Sequence, residues 1–242
     1  MINGKRPVDD FPAPSRIRDL SEAAPCLLIQ WKLPIARRAA SMLTALQITQ
    51  LHDEATLRWH QESLAPAPLA PAVSADLTDL ALAHHRANFD LWHQEDKVRE
   101  PDASDASVGR IKHSIDALNQ RRNDLVEAID RLLLAAAGEQ DPAAPLHSES
   151  PGLILDRLSV LALKLYHTAE EGRRPTASEA HRQRNLARFA LLREQRDDLA
   201  ACLDRLWQEV LAGRRRFKLY RQFKMYNDPD LNPAVYARKT GA

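Results

Sequence analysis

Cysteine is scarce in this chain: Cys26 and Cys202 are the only two in 242 residues. A disulfide framework needs more. Both thiols have apolar neighbours in sequence, so they read as core filler in a reducing compartment. Glycine is held to 7 residues and aromatics to 5%. Sheets draw on β-branched and aromatic residues with glycine turns, whereas this chain favours Ala, Leu, Arg, Gln and Asp; composition therefore argues for helices. No sign of charge dominates, since 34 Lys and Arg face 33 Asp and Glu. That excludes a polybasic nucleic-acid binder or an acidic tail protein as a whole-chain description. Long apolar runs are missing too. The longest, near Leu132–Ala137, falls far short of the roughly 20 residues that cross a bilayer. Residues Met1 to Phe11 are charged and lack an apolar stretch, so no secretory leader is expected and a cytoplasmic location follows by elimination.

What is present is 44% apolar and 28% charged residues, the balance of a folded globular protein. Prolines divide the chain. Residues 1–33 read as a partly flexible lead, 34–236 as one helical domain and 237–242 as a tail. A Pro/Ala-rich linker at 64–76 interrupts the domain. Polar breaks at 101–107, 138–151 and 172–178 have turn chemistry. Helical periodicity predicts helices at 34–63, 77–99, 108–137, 151–169, 177–213 and 214–225. Ser150-Pro151 marks one start, an N-cap followed by Pro at the first helical position. Thr176-Ala177-Ser178-Glu179 reads as a capping box for another. The segment 151–169 is apolar nearly all round. The expected fold is an all-α, single-domain bundle of five or six helices around that buried central helix.

Polar residues on apolar faces mark the candidate site. In 108–137, Arg122 interrupts the stripe Ile111, Ile115, Leu118, Leu125, Ile129 and Leu133, while Asn119 and Asn123 run along its edge. A guanidinium in a seam needs a partner, because desolvating an unpaired charge costs several kcal/mol. It reads equally as a structural Arg or as a ligand-binding one. Glu95 and Asp96 are its expected partners. They share a face of 77–99 with Asn88, Phe89, Trp92 and Arg99, a composition better suited to a pocket wall than to a core. The central helix carries Asp156, Lys164 and His167, each of which needs a partner. In 177–213, Asn185 and Arg196 interrupt an alternating seam; the Asn can fix register, and the Arg can snorkel out.

Several kinds of chemistry find no support. There is no Gly-rich phosphate loop, no nucleophile elbow and no HExxH. A metal site could be assembled from His52, His60, His85 or His93 with Glu95, but satisfied or exposed histidines are the simpler reading, so no metal and no cofactor is assigned. Residues 214–226 hold Lys218 and Lys224 among six basic side chains. Phe217, Tyr220, Phe223 and Tyr226 interleave with them every third residue. The segment could grip phosphate and stack on a ring, or simply dock its aromatic edge on the core.

The stretches 88–100 (NFDLWHQEDKVRE), 115–130 (IDALNQRRNDLVEAID), 150–167 (SPGLILDRLSVLALKLYH) and 217–233 (FKLYRQFKMYNDPDLNP) resemble, in this order, the bacterial family called domain of unknown function 4254. LHDEATLRWH at 51–60 fits as well. The resemblance covers about residues 40–236. It implies a helical protein without assigned catalytic residues, in the setting of bacterial surface-polysaccharide assembly beside glycosyltransferases. DRLSVLALK is also similar to a short helical motif in other uncharacterised surface-glycan proteins.

Three functions remain in contention. The first is a pocket that binds or processes an anionic sugar, a sugar phosphate or nucleotide sugar, in surface-glycan (lipopolysaccharide-type) biosynthesis. Its ligand-binding residues would be Asn88, Trp92, Asn119, Arg122, Asn123, Asp156, Lys164, Lys218 and Lys224. Glu95 or Asp96 would be the catalytic base if chemistry occurs. The second is a non-catalytic helical partner of a glycosyltransferase. Nucleic-acid or membrane-surface binding through 214–226 ranks third.

Overall fold

The computed structural model describes residues 44–62 and 76–222. The expected lead, the Pro/Ala linker, Cys26, Phe223, Lys224, Tyr226 and the tail lie outside the described residues. Five helices are present among those described: α1 (Ala45–Glu62), α2 (Leu77–Val98), α3 (Asp105–Ala137), α4 (Pro151–Arg173) and α5 (Glu179–Leu211). The fold is an all-α bundle, as composition and periodicity imply.

Each start has a local cause. The first backbone N–H groups of a helix lack intrahelical acceptors. Asp76 receives Thr78 N–H at 2.7 Å, and Ser104, Ser150 and Ser178 cap the starts of α3, α4 and α5. The cap of α5 is thus Ser178 rather than Thr176, and Glu179 bonds Arg182 and Gln183 instead of closing a box. α3 stops at Gly138 with φ of 71°, and Gly213 has φ of 68° just past α5. Only glycine adopts such angles cheaply.

α4 packs against each of the other four helices, which makes it the central one. Its Leu155, Leu158 and Leu163 are fully buried. Leu163 packs with Ala55, Trp59 and Phe89, while Leu155 and Leu158 join Leu125, Ile129 and Leu133 of α3 and Leu203, Leu206 and Trp207 of α5 in one interior layer. A fully buried aliphatic side chain contributes about 1.5–3 kcal/mol, so this layer dominates the stability of the bundle. The start of α4 is locked from α3. Asp130 accepts a hydrogen bond from Ser150 Oγ and one from Gly152 N–H at 2.7 Å.

Three expectations need correction. The expected sixth helix is absent over the described residues 214–222, which run as a non-helical strap. Gly213 turns the chain, and Arg216 then pairs through its backbone with Pro145 and His147. Phe217 fills the core, and its N–H and C=O bond both ends of the Gln140 amide. Burial of that one ring and four backbone-level hydrogen bonds outweigh the helical period of the sequence. Arg196 does not snorkel into solvent; its Nη1 lies 2.9 and 2.8 Å from the two oxygens of Asp53 on α1. Cys202 is exposed, because the buried stripe of α5 follows Leu203, Leu206, Trp207 and Val210.

Candidate functional site

Asp156 is the hub of the polar interior. Nearly two turns past the cap of α4, it points between α2 and α3. Its Oδ1 lies 2.8 Å from His84 Nε2, 3.0 Å from Asn88 Nδ2 and 3.2 Å from Arg122 Nε. Burial pushes the Asp156 carboxyl up, but His84, Arg122 and Asn88 outweigh it and hold the group below the ordinary carboxylate range. The partner of Arg122 is therefore Asp156, and not Glu95 or Asp96. Glu95 pairs with Arg99 one turn along α2, at 3.2 Å, and Asp96 is exposed.

A chain of hydrogen bonds runs from this hub into the core. Asn88 Nδ2 also donates to Ser159 Oγ at 3.0 Å, and Ser159 Oγ lies 2.8 Å from His85 Nδ1. His85 Nε2 meets Thr56 Oγ1 at 2.8 Å, and Thr56 spends its own proton on the His52 carbonyl. Thr56 Oγ1 can then only accept, so Nε2 of His85 carries a proton. Burial keeps the ring neutral, pushing the His85 pKa down to about 3. In the neutral ring Nδ1 accepts from Ser159. His52 stacks on His85 at 4.4 Å, and burial holds it well below the usual histidine range as well.

Outside this network lies an open cleft of about 470 Å³ between α2, α3 and α4. Asn88, Trp92, Glu95, Asp96, Arg99, Asn119 and Arg122 line it over an apolar floor of Leu91, Val160 and Leu163. Six of the residues expected from the sequence thus converge on one cavity. Asp156 reaches it through Arg122. Lys164 does not line it: it is exposed in a neighbouring cleft of about 770 Å³ between α4 and α5, which Asp156 and Cys202 also line. Asn123 is half-buried on α3 beside Arg122 and does not line the cleft. Lys218 is set apart. It follows Phe217, which is anchored on Gln140 beyond the end of α3. The run of α3 from Arg122 to Ala137 separates that anchor from Arg122 by roughly 20 Å at 1.5 Å per residue.

Trp92 also borders a second group. Its ring stacks on His167 with centroids 4.9 Å apart and planes 8° from parallel. His167 of α4 meets His60 of α1 and His93 of α2, and one ring nitrogen from each lies within 4.8 Å of the other two. Phe89 and Tyr166 pack around these imidazoles. This trio differs from the set that the sequence suggested. His52 and His85 are in the buried stack, and His167 takes the place of Glu95. Ser159 and His84 were not expected at the site, whereas Thr56 shares a helical face with His52 and Trp59 in the sequence; the trace His84 leaves is its spacing of one helical turn from Asn88.

The chain belongs to a family described as "Protein of unknown function (DUF4254)", whose profile matches residues 78–219. That span holds α2 to α5, the whole cleft and the anchored part of the strap; α1 with His60 lies before it. No curated protein matches the chain. No solved structure matches it. Among the described residues no helix is long and apolar enough to cross a membrane.

Proposed function

We propose that the cleft between α2, α3 and α4 binds a sugar carrying an anionic group, a sugar phosphate or nucleotide sugar, in bacterial surface-glycan biosynthesis. The observation that supports this most is the pairing of Trp92 with Arg122 across one open cavity. An indole offers a flat apolar face to a sugar ring or base, and a guanidinium offers a fork of donors to a phosphate. Asn88 and Asn119 supply amides for hydroxyl groups. Arg99 adds a second cation at the rim. Lys164 lies on the adjoining surface, where a longer ligand would reach it. Glu95 and Asp96 are the carboxylates available as proton acceptors if the ligand is also processed. The setting in surface-glycan assembly rests on the family resemblance alone.

A thermal-shift panel of nucleotide sugars and sugar phosphates tests this reading. A ligand at 100 times its Kd stabilises the protein by about 2.7 kcal/mol. Stabilisation by a member of the panel, lost in Arg122→Ala and in Trp92→Ala, is the expected result. No shift with any member at millimolar concentration would sink the idea. A second reading, a helical partner for a glycosyltransferase, is favoured by one feature. The N-terminal half of α5 leaves Leu186 and Leu191 about half exposed, at 48% and 55%. Co-purification with such an enzyme, abolished by Leu191→Glu and untouched by Arg122→Ala, would select it.

A further inference from the structure

His60, His93 and His167 come from three helices, and each has one ring nitrogen already committed. His60 Nδ1 lies 2.7 Å from the Thr56 carbonyl oxygen and His93 Nδ1 lies 2.8 Å from that of Phe89. A carbonyl only accepts, so both Nδ1 atoms carry the proton. His167 Nδ1 lies 3.0 Å from Glu170 Oε2, a carboxylate that fixes the same tautomer. All three neutral rings are then left with a lone pair on Nε2. For His60 and His167 that atom is buried and has no hydrogen-bond partner among the described residues.

Unmet acceptors in a half-buried, aromatic-walled site are costly. One added proton would satisfy one of them and place a charge among the others. A divalent cation satisfies all three at once. Neutral imidazole is the ligand form of histidine, and its nitrogen suits zinc and its first-row neighbours rather than magnesium or calcium.

We propose that His60, His93 and His167 bind one divalent transition-metal ion, zinc in the first instance, through their Nε2 atoms. One ring nitrogen from each of the three histidines lies within 4.8 Å of those of the other two. A tetrahedral shell with zinc–nitrogen bonds of 2.0–2.1 Å needs them roughly 3.3 Å apart, a closure that side-chain torsions can supply. The Thr56 and Phe89 carbonyls and the Glu170 carboxylate do for these rings what outer partners do in known sites: they set the tautomer and hold the ring. Three protein ligands is also the number that leaves a coordination position for water or a ligand oxygen, whereas purely structural sites close with four. The proposal stands whether or not the cleft beyond Trp92 takes a sugar.

The test uses the full chain without a polyhistidine tag, stripped with chelator and titrated separately with Zn²⁺ and Co²⁺. The expected result is one metal per chain by elemental analysis after gel filtration. Bound Co²⁺ should show visible absorption diagnostic of four or five ligands. His93→Gln and His167→Gln should each weaken binding at least about 100-fold, and Glu170→Gln about 10–100-fold. Cys202→Ser should leave it unchanged. Circular dichroism of each variant separates lost ligands from lost helix; where a variant does not fold, the wild-type cobalt spectrum decides. No stoichiometric metal on the wild type overturns the proposal. So does metal that survives in folded His93→Gln and His167→Gln, or that leaves with Cys202.

Discussion

Gly152 gives its N–H to Asp130 Oδ1 at 2.7 Å, and a Cβ built on Gly152 would lie 2.7 Å from that same oxygen and 2.8 Å from the Val126 carbonyl. The first turn of α4 is therefore pressed against α3 as closely as backbone allows. Gly152→Ala should gain about 0.5–1 kcal/mol from helix propensity. It should lose about 1–3 kcal/mol to overpacking. The neighbours include a backbone carbonyl that cannot rotate away, so the loss wins. Urea unfolding should show a lower midpoint for the variant; an unchanged or raised midpoint would contradict the close approach.

Acid should destabilise the bundle, with Asp130 acting against the trend. Burial lowers His85 from 6.5 to about 3, and lowers His52 as well. For a group depressed on folding, stability is fully present above the unfolded value and is lost as pH falls below about 6.5. Asp130 is pushed up by burial from 3.8 to about 6. Its contribution is fully present below about pH 4 and is lost as pH rises through about 6. The buried histidines outnumber it, so the net slope should be a fall in stability from pH 6.5 to 4. Asp130→Asn removes the opposing term and should steepen that fall. Urea midpoints at pH 7, 6, 5 and 4 measure both slopes.

Asp156 should matter more to stability than Arg122, although they form one ion pair. Asp156→Ala leaves the buried His84 and Asn88 without their shared acceptor and Arg122 without its counter-charge, and breaking a buried pair from that side costs about 3–5 kcal/mol. Arg122 is about one-third exposed, at 32%. Its loss leaves Asp156 with two partners still in place, so Arg122→Ala should cost about 1 kcal/mol. Chemical denaturation of both single variants and the double variant gives the coupling directly. Equal losses would mean that Asp156 serves Arg122 alone.

The strap should behave as core and not as a tail. Phe217 is 1% exposed, and Phe217→Ala should cost about 3–5 kcal/mol. Lys218→Ala, one residue on and exposed, should fall within about 0.5 kcal/mol of wild type. Thermal unfolding of the pair checks this contrast.

Much of the fold was legible because helix signals are local. The apolar girth of 151–169 marked the central helix, and Ser150-Pro151 marked its start. The 214–225 segment misled because its aromatics repeat every third residue. What decides its shape is a pair of long-range partners, Gln140 and the 145–147 backbone, which no local window contains. The cleft was half legible. Trp92, Asn119 and Arg122 stand out as polar or bulky residues on the wrong face, and they do meet. Which carboxylate would pair with Arg122 was not readable, since Glu95, Asp96 and Asp156 are alike until helices are docked. The histidine trio was legible only in part: His60 and His93 stand among the possible metal ligands and His167 among the polar residues of the central helix, but only the packing of α1 and α2 against α4 unites the three.

The indole of Trp92 is a party wall. The same side chain lines the cleft and lies flat on His167. Whatever settles on one side must alter the electronic surroundings of a ring that the other side also leans on. Its emission, taken as the difference between the wild type with its four tryptophans and Trp92→Phe, can therefore serve as one optical gauge for two chambers. Any strengthening that a guest in one chamber lends to the occupant of the other must be returned in equal measure, because linkage between bound states is symmetrical.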